Sequence, residues 1–272
     1  MLRPNDLCPC GSGRKYKKCH RIVDLSSSDQ KYVAAQAVYA ANWKVTAELQ
    51  YERGDYAWMA EQLKPFEVKR VLDVGCGSGH GLLALTECLP SGLRVVAIDE
   101  NLACLKVAQQ TLQKSGLPAP LIERLETVET PYGFLQTDKP ISLPLAEPIA
   151  LIEADPLTDN YLEKAVLHNG LFDAVTIWLT GAHSWRRHNA YSVHRGVKDE
   201  HDLRIVIQNE VYELADRVLR PGGVLQVVDR SEAPTSDFIR QGYFESHREQ
   251  AEPTTMDVRE VGTSIYLSPS AP

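Results

Sequence analysis

The sequence predicts an α/β fold in which a mostly parallel, doubly wound sheet is covered by helices on both faces. Short apolar runs alternate with helical patterns five times along the chain, and the first apolar run ends in a cluster of closely spaced glycines. Such alternation is typical of parallel sheets with right-handed crossovers, which bind ligands at the carboxyl ends of their strands. We therefore expect a ligand site at that edge of the sheet.

Five apolar runs are the predicted strands. They cover residues 70–74, 94–98, 149–153, 174–179 and 224–228. Helical patterns lie between them, at residues 79–89, 101–114, 158–168 and 203–218. The tail, residues 264–272, is predicted to supply one last strand before it frays.

Composition places the chain among globular proteins. Of 272 residues, 43% are hydrophobic and 24% are charged, which is enough apolar material for a sizeable core. No apolar run approaches the ~18–20 residues needed to cross a bilayer, and the first residues lack the apolar core of ~7–15 residues that a signal peptide requires. We therefore expect a cytoplasmic protein that does not associate with a membrane.

The charge is unevenly distributed. The net charge is −7, but residues 1–21 contain six basic side chains and one acidic one, so this head carries +5 and the remainder carries −12. An acidic body argues against a nucleic-acid groove across the main domain, whereas the basic head could contact an acidic partner. Nucleic acid is therefore not the expected partner.

The basic head contains a complete set of metal ligands. Cys8, Cys10, Cys19 and His20 follow the pattern CxCx8CH. Three thiolates and one imidazole form a tetrahedral zinc site with no open position. We therefore predict a structural zinc ion that holds this segment folded and does not activate water.

This head closely resembles the SEC-C zinc motif of the preprotein translocase ATPase, which also occurs in many unrelated bacterial proteins. The resemblance covers about residues 4–21 and includes every ligand of the motif. In the translocase the motif contacts a partner protein. The resemblance therefore implies an adaptor role for Lys15, Lys17 and Lys18.

The glycine cluster indicates a nucleotide-type ligand. Gly75, Gly77 and Gly79 lie where a strand turns into a helix, so the backbone can pass close to a bound nucleoside. Their spacing is GxGxG, which differs from the dinucleotide fingerprint GxGxxG. Asp99 ends the second strand, where its carboxylate can accept both ribose hydroxyls, and Asp155 ends the third.

From about residue 30 to residue 268 the chain resembles the class I S-adenosylmethionine-dependent methyltransferases. The block VLDVGCGSGHG is similar to the first motif of that family, Asp99 to its ribose-binding acid, and Asp155 to the residue that contacts the adenine amino group. The resemblance implies a Rossmann-like, seven-stranded sheet with two final strands within residues 242–268. It also implies a cofactor-binding set, namely Asp73, Gly75, Cys76, Gly77, Gly79, Asp99, Glu100, Asp155 and Trp178.

Three segments make up the predicted domain organisation. Residues 1–24 form the zinc module, residues 25–66 a helical segment, and residues 67–272 the methyltransferase domain. Tyr32, Tyr39 and Trp43 recur at near-helical spacing in the second segment, and we interpret them as packing residues. Residues 117–148 contain six prolines and are predicted to be an irregular insertion or a short hairpin.

The methyl acceptor should bind beside the end of the fourth strand. His183 is the candidate base because it lies close to that end, and Arg186 could bind an anionic acceptor. The segment lacks the NPPY or DPPY motif of amino-methylating nucleic-acid enzymes, which favours a small-molecule or protein acceptor. One alternative is a non-catalytic adaptor that binds the cofactor and docks through the SEC-C motif; a nicotinamide oxidoreductase is disfavoured by the glycine spacing.

Overall fold

The computed structural model describes residues 2–10, 12–131, 133–142, 145 and 148–266. Its central strands are β1 (Arg70–Val74), β2 (Arg94–Asp99), β3 (Leu121–Ile122), β6 (Ile149–Glu153), β7 (Phe172–Trp178) and β8 (Leu219–Val228). They form one six-stranded sheet in the order β3-β6-β2-β1-β7-β8, and every neighbouring pair is parallel. The predicted parallel α/β architecture is confirmed.

Nine α-helices lie in the described part of the chain. They are α1 (Arg21–Leu25), α2 (Ser28–Glu52), α3 (Asp55–Glu61), α4 (His80–Cys88), α5 (Leu102–Lys114), α6 (Leu162–Val166), α7 (Ala190–His194), α8 (Glu200–Val218) and α9 (Asp237–Ala251). None of these helices is long and apolar enough to cross a membrane.

Two hydrophobic cores lie on opposite faces of the sheet because successive side chains of a strand point to opposite sides. On one face Val71 and Val95 join the core that contains residues of α3, α4 and α5. On the other face Leu72 and Val96 join the core that contains residues of α6 and α8. Helices therefore cover both faces, and the free edge at the carboxyl ends of the strands is available for a site.

The predicted number of strands is wrong for the described residues, because the sheet has six strands where seven were expected. Of the segment 242–268, residues 242–251 belong to α9 and residues 252–266 contain no strand. Helix formation here has a local cause, since the side chain of Ser236 accepts a hydrogen bond from Ile239 N and caps α9. The predicted strand in the tail is likewise absent over residues 264–266, and residues 267–272 lie outside the described residues.

The proline-rich insertion contains a hairpin. Strands β4 (Leu125–Thr130) and β5 (Gly133–Asp138) pair antiparallel, outside the central sheet. The buried side chain of Arg124, just before β4, forms an ion pair with Asp159 and donates to the carbonyl of Lys139 at 2.7 Å. These contacts attach the base of the hairpin to the chain that follows β6.

Candidate functional site

A cavity lies at the carboxyl ends of the central strands. Strands β2 and β7 lie on opposite sides of β1, so the strand order of the sheet reverses at β1. Doubly wound α/β sheets bind ligands in a crevice at such a point. The loops after β1, β2, β6 and β7 line the cavity together with α2. Gly75, Asp99, Thr180 and Arg186 are among its lining residues.

The glycine loop has a backbone that favours glycine. The φ angles of Gly75, Gly77 and Gly79 are +81°, +54° and +82°, in the left-handed region that other residues rarely adopt. A Cβ atom on Gly77 would lie 2.5 Å from Nε1 of Trp43, whereas one on Gly75 would meet nothing closer than Oγ1 of Thr180, at 3.9 Å. The loop is therefore packed against α2 at Gly77 and faces open space at Gly75.

Asp99 connects the end of β2 to the glycine loop. Its two carboxylate oxygens accept hydrogen bonds from Gly77 N at 2.9 Å and Asn101 N at 2.8 Å. Burial, and secondarily the negative charge of Glu100, raise the pKa of Asp99 to about 7. Asp99 and Gly75 both line the cavity.

Asp73 supports the loop from inside the sheet. It is buried in β1 and accepts a hydrogen bond from Thr176 Oγ1 of β7 at 2.6 Å. Burial raises the pKa of Asp73 to about 6, although the hydrogen bond from Thr176 opposes this rise. Asp73 therefore braces β1 against β7 and does not line the cavity.

A cluster of buried charges lies beside the cavity. Glu100 faces His183, whose Nε2 lies 3.4 Å from Oε2, and Arg186, whose Nε lies 3.7 Å from Oε1. The hydroxyl of Tyr32 donates to Glu100 at 3.1 Å, and Nη2 of Arg186 donates to Asp155 Oδ1 at 2.8 Å. All five residues are less than 10% exposed, so their charges are shielded little by solvent.

The electrostatics of this cluster favour an ionised Glu100. Burial disfavours its carboxylate, but the neighbouring His183 and Arg186 and the hydrogen bond from Tyr32 outweigh burial and lower the pKa of Glu100 to about 2. Burial likewise disfavours the guanidinium of Arg186, yet Asp155 and Glu100 raise its pKa. Glu100 and Arg186 therefore stay charged together.

Several predicted site residues lie outside the cavity lining. Trp178 packs in the core against Tyr56 and donates from Nε1 to Gln226 at 3.0 Å, so the structure gives it a packing role. Cys76 and Gly79 are part of the loop but do not line the cavity. Cys76 is buried, and Gly79 lies against Ala108, whose Cα is 3.0 Å from the position of an added Cβ.

Two of the predicted site residues already contact other side chains of the protein. The candidate base His183 is 2% exposed and faces Glu100, outside the cavity lining. Asp155 is 1% exposed and its Oδ1 is already bonded to Arg186. Arg186 is the member of this cluster that reaches the cavity lining along with Glu100, and its Nε atom is buried without a hydrogen-bond partner.

Sequence reasoning missed the contribution of α2. Tyr39 and Trp43, interpreted as packing residues, line the cavity from α2. Their i, i+4 spacing indicates one face of a helix but carries no sign of what that face contacts. Thr180 also lines the cavity, and its buried Oγ1 has no hydrogen-bond partner.

The predicted metal ligands converge in the N-terminal segment. The ligand atoms of Cys8, Cys10, Cys19 and His20 all lie within 4.8 Å of one another. The Sγ atoms of Cys10 and Cys19 are 3.5 Å apart, close to the ~3.8 Å that two sulfurs share in a tetrahedral zinc site with Zn–S bonds of about 2.3 Å. The geometry and the donor set therefore fit a four-coordinate zinc ion.

Comparison with known families matches two segments of the chain. Residues 5–21 match the SEC-C motif, and residues 71–132 match a methyltransferase domain. The second match covers the glycine loop, Asp99 and the start of the hairpin. The resemblance stated from the sequence is therefore confirmed: a segment that matches the SEC-C motif precedes a segment that matches a methyltransferase domain.

Individual proteins resemble this chain either over a short segment or at low sequence identity. An uncharacterized methyltransferase of Emericella nidulans is 30% identical over 80 residues, which are 29% of this chain and 27% of the relative. The chain thus matches about a quarter of that relative's length. A putative O-methyltransferase from Klebsiella pneumoniae has a TM-score of 0.41 at 12% identity, covering 74% of this chain and 66% of that one. The methyltransferase SibL has a TM-score of 0.42 at 16% identity, covering 84% and 54%.

We predict that Arg186→Gln lowers the free energy of unfolding by about 3–5 kcal/mol, because it leaves Asp155 and Glu100 buried without their shared cation. The neighbouring exposed Arg187 provides a matched control, and Arg187→Gln should change the free energy by no more than about 0.5 kcal/mol. Urea unfolding of the three proteins measures both values. Equal losses in the two variants would contradict a stabilising role of the buried cluster.

Proposed function

We propose that this chain is an S-adenosylmethionine-dependent methyltransferase. The observation that carries the proposal is the placement of Asp99 beside the GxGxG loop, at the edge of a cavity that continues to the end of β7. The match of residues 71–132 to a methyltransferase domain supports it. The cofactor would supply an activated methyl group on a sulfonium sulfur.

The residues of this cavity fit such a cofactor in position and chemistry. Asp99 would accept the ribose hydroxyls, and the open side of Gly75 would lie along the methionine part. The unpartnered hydroxyl of Thr180 offers a further polar contact at the end of β7. Asp155 lies outside the cavity lining and its Oδ1 is bonded to Arg186, so the cavity does not present it to the adenine amino group.

We assign His183 a positioning role in place of the predicted base. Its Nε2 lies 3.4 Å from Glu100, outside the cavity lining, and methyl transfer to a nucleophilic acceptor depends mainly on in-line placement. The acceptor, a small molecule or a protein side chain, would approach along Thr180, Gly181 and Ala182, which line the cavity after β7.

Cofactor binding tests the proposal directly. In calorimetric titrations we expect saturable binding of S-adenosylmethionine and of its demethylated product, and none of NADH. Asp99→Ala should weaken binding of both nucleosides by about 1.5–3 kcal/mol, or roughly 10- to 100-fold, because hydrogen bonds to a charged group are lost. Absence of binding by the wild-type protein, or tight binding of NADH, would contradict the assignment.

A non-catalytic adaptor is the competing function. One observation favours it: residues 5–21 match the SEC-C motif, from which the adaptor role was inferred. Transfer of a labelled methyl group from the cofactor to any component of a cell extract distinguishes the two functions. Transfer that is lost in Asp99→Ala supports the enzyme, whereas cofactor binding without transfer supports the adaptor.

We also propose that the Cys/His cluster holds a structural zinc ion. All four positions would be filled by protein ligands, so the ion would stabilise the head and would not bind substrate. We expect about one zinc per chain by mass spectrometry of the purified protein, and its loss in Cys10→Ser with the main domain still folded. Cys88→Ser, outside the cluster, should keep the metal. Unfolding of the whole chain in Cys10→Ser would contradict a separate module.

The head is further proposed to dock an acidic protein. Lys17 and Arg21 line a shallow surface groove together with Ile22 and Leu25, which are 60% and 70% exposed. Basic and apolar groups side by side favour a partner with the complementary surface. An acidic protein captured from lysate by the wild type should be lost with Arg21→Glu and kept with Lys164→Glu, which changes an exposed lysine on α6. Equal capture by both variants would contradict docking through this face.

A further inference from the structure

One turn of α2 contacts the Cys/His cluster. The side-chain amide of Asn42 donates from Nδ2 to Sγ of Cys19 at 3.4 Å and accepts from Nη1 of Arg14 at 2.9 Å. A single side chain thus holds a metal-ligand candidate and the loop that precedes it. Hydrogen bonds of this outer kind orient metal ligands, and they depend on the ligands staying in place.

The same turn forms a wall of the cofactor cavity. Trp43, adjacent to Asn42 in sequence, lies against Gly77, where an added Cβ would be 2.5 Å from its Nε1. Tyr39, at the other end of the turn, contacts Gly181 and also lines the cavity. A shift of this turn would therefore change the cavity at two points, the glycine loop and the end of β7.

The rest of α2 is attached to the main domain by its own contacts. Near the N-terminal end, Tyr32 and Gln36 bond to Glu100, and near the C-terminal end Tyr51 donates to Glu87 at 2.6 Å. Residues 39–43 are consequently the part of α2 that contacts the Cys/His segment and also lines the cavity. Losing the metal would release the loop of residues 8–20 and with it the bonds of Asn42.

From these contacts we infer that metal binding by the Cys/His cluster and cofactor binding in the cavity are linked through residues 39–43, and that metal loading strengthens cofactor binding. The inference rests on the proposed function of the cavity. Because the coupling free energy between two binding sites is reciprocal, the cofactor product should in turn raise the affinity of the cluster for zinc.

Hydrogen exchange tests the link without any cofactor. Removing zinc with a chelator should speed amide exchange in residues 8–20, 39–43 and 75–81 of the wild type. In Asn42→Ala only residues 8–20 should respond, since alanine preserves the helix but makes neither bond. Lys44→Ala changes an exposed side chain two positions after Asn42 and should behave like the wild type.

Calorimetry with S-adenosylhomocysteine then tests the direction of the coupling. We expect the dissociation constant to rise by at least about fivefold when zinc is removed from the wild type or Lys44→Ala, and to stay the same in Asn42→Ala. An unchanged exchange rate at residues 75–81 after zinc removal, a chain that takes up no zinc, or equal affinity with and without zinc in the wild type would overturn the inference.

The two proposals fail in different ways. If residues 75–81 respond to zinc but S-adenosylhomocysteine binds neither form of the wild type, the proposed cofactor is wrong and the structural link stands. If S-adenosylhomocysteine binds both forms equally well, the cofactor assignment stands and the link is wrong.

Discussion

The buried carboxylate of Glu100 is the constraint around which the site is organised. An ion taken out of water costs several kcal/mol unless cations and hydrogen-bond donors surround it. Here those partners come from distant parts of the chain: Tyr32 from α2, and His183 and Arg186 from the segment after β7. Burial of the Glu100 carboxylate among these partners therefore requires α2 and the segment after β7 to meet at the end of β2.

The same network extends to the proline-rich insertion. Gln136 of β5 donates to the hydroxyl of Tyr32 at 2.6 Å and accepts from Nδ2 of Asn189 at 2.8 Å. The hairpin, α2 and the segment after β7 thus share buried hydrogen bonds, which are strong in a low-dielectric interior and costly to break one at a time. This connection gives the insertion a structural role next to the cavity, although it lies outside the central sheet.

The parts of the fold that obey local rules could be predicted from the sequence. The glycine loop, the acids at the strand ends and the four metal ligands are each contained in a short segment, and all were identified at their positions. The contacts of Tyr39, Trp43 and His183 could not, because they depend on how α2 and the segment after β7 pack. The family resemblance also suggested two final strands, and local helix signals such as the Ser236 cap override it in residues 242–251.

The charges of the cavity distinguish between the classes of nucleotide that its shape admits. Asp99, Glu100 and Asp155 bring three carboxyl groups to the neighbourhood of one guanidinium, and burial together with the charge of Glu100 raises the pKa of Asp99 to about 7. A ligand that brings hydroxyl donors and a positive charge would favour the ionised form of Asp99 and reduce the repulsion from Glu100. A sulfonium nucleoside has both features. The pyrophosphate of a dinucleotide would instead add negative charge beside the same acids, so the electrostatics agree with the glycine spacing in disfavouring a nicotinamide cofactor.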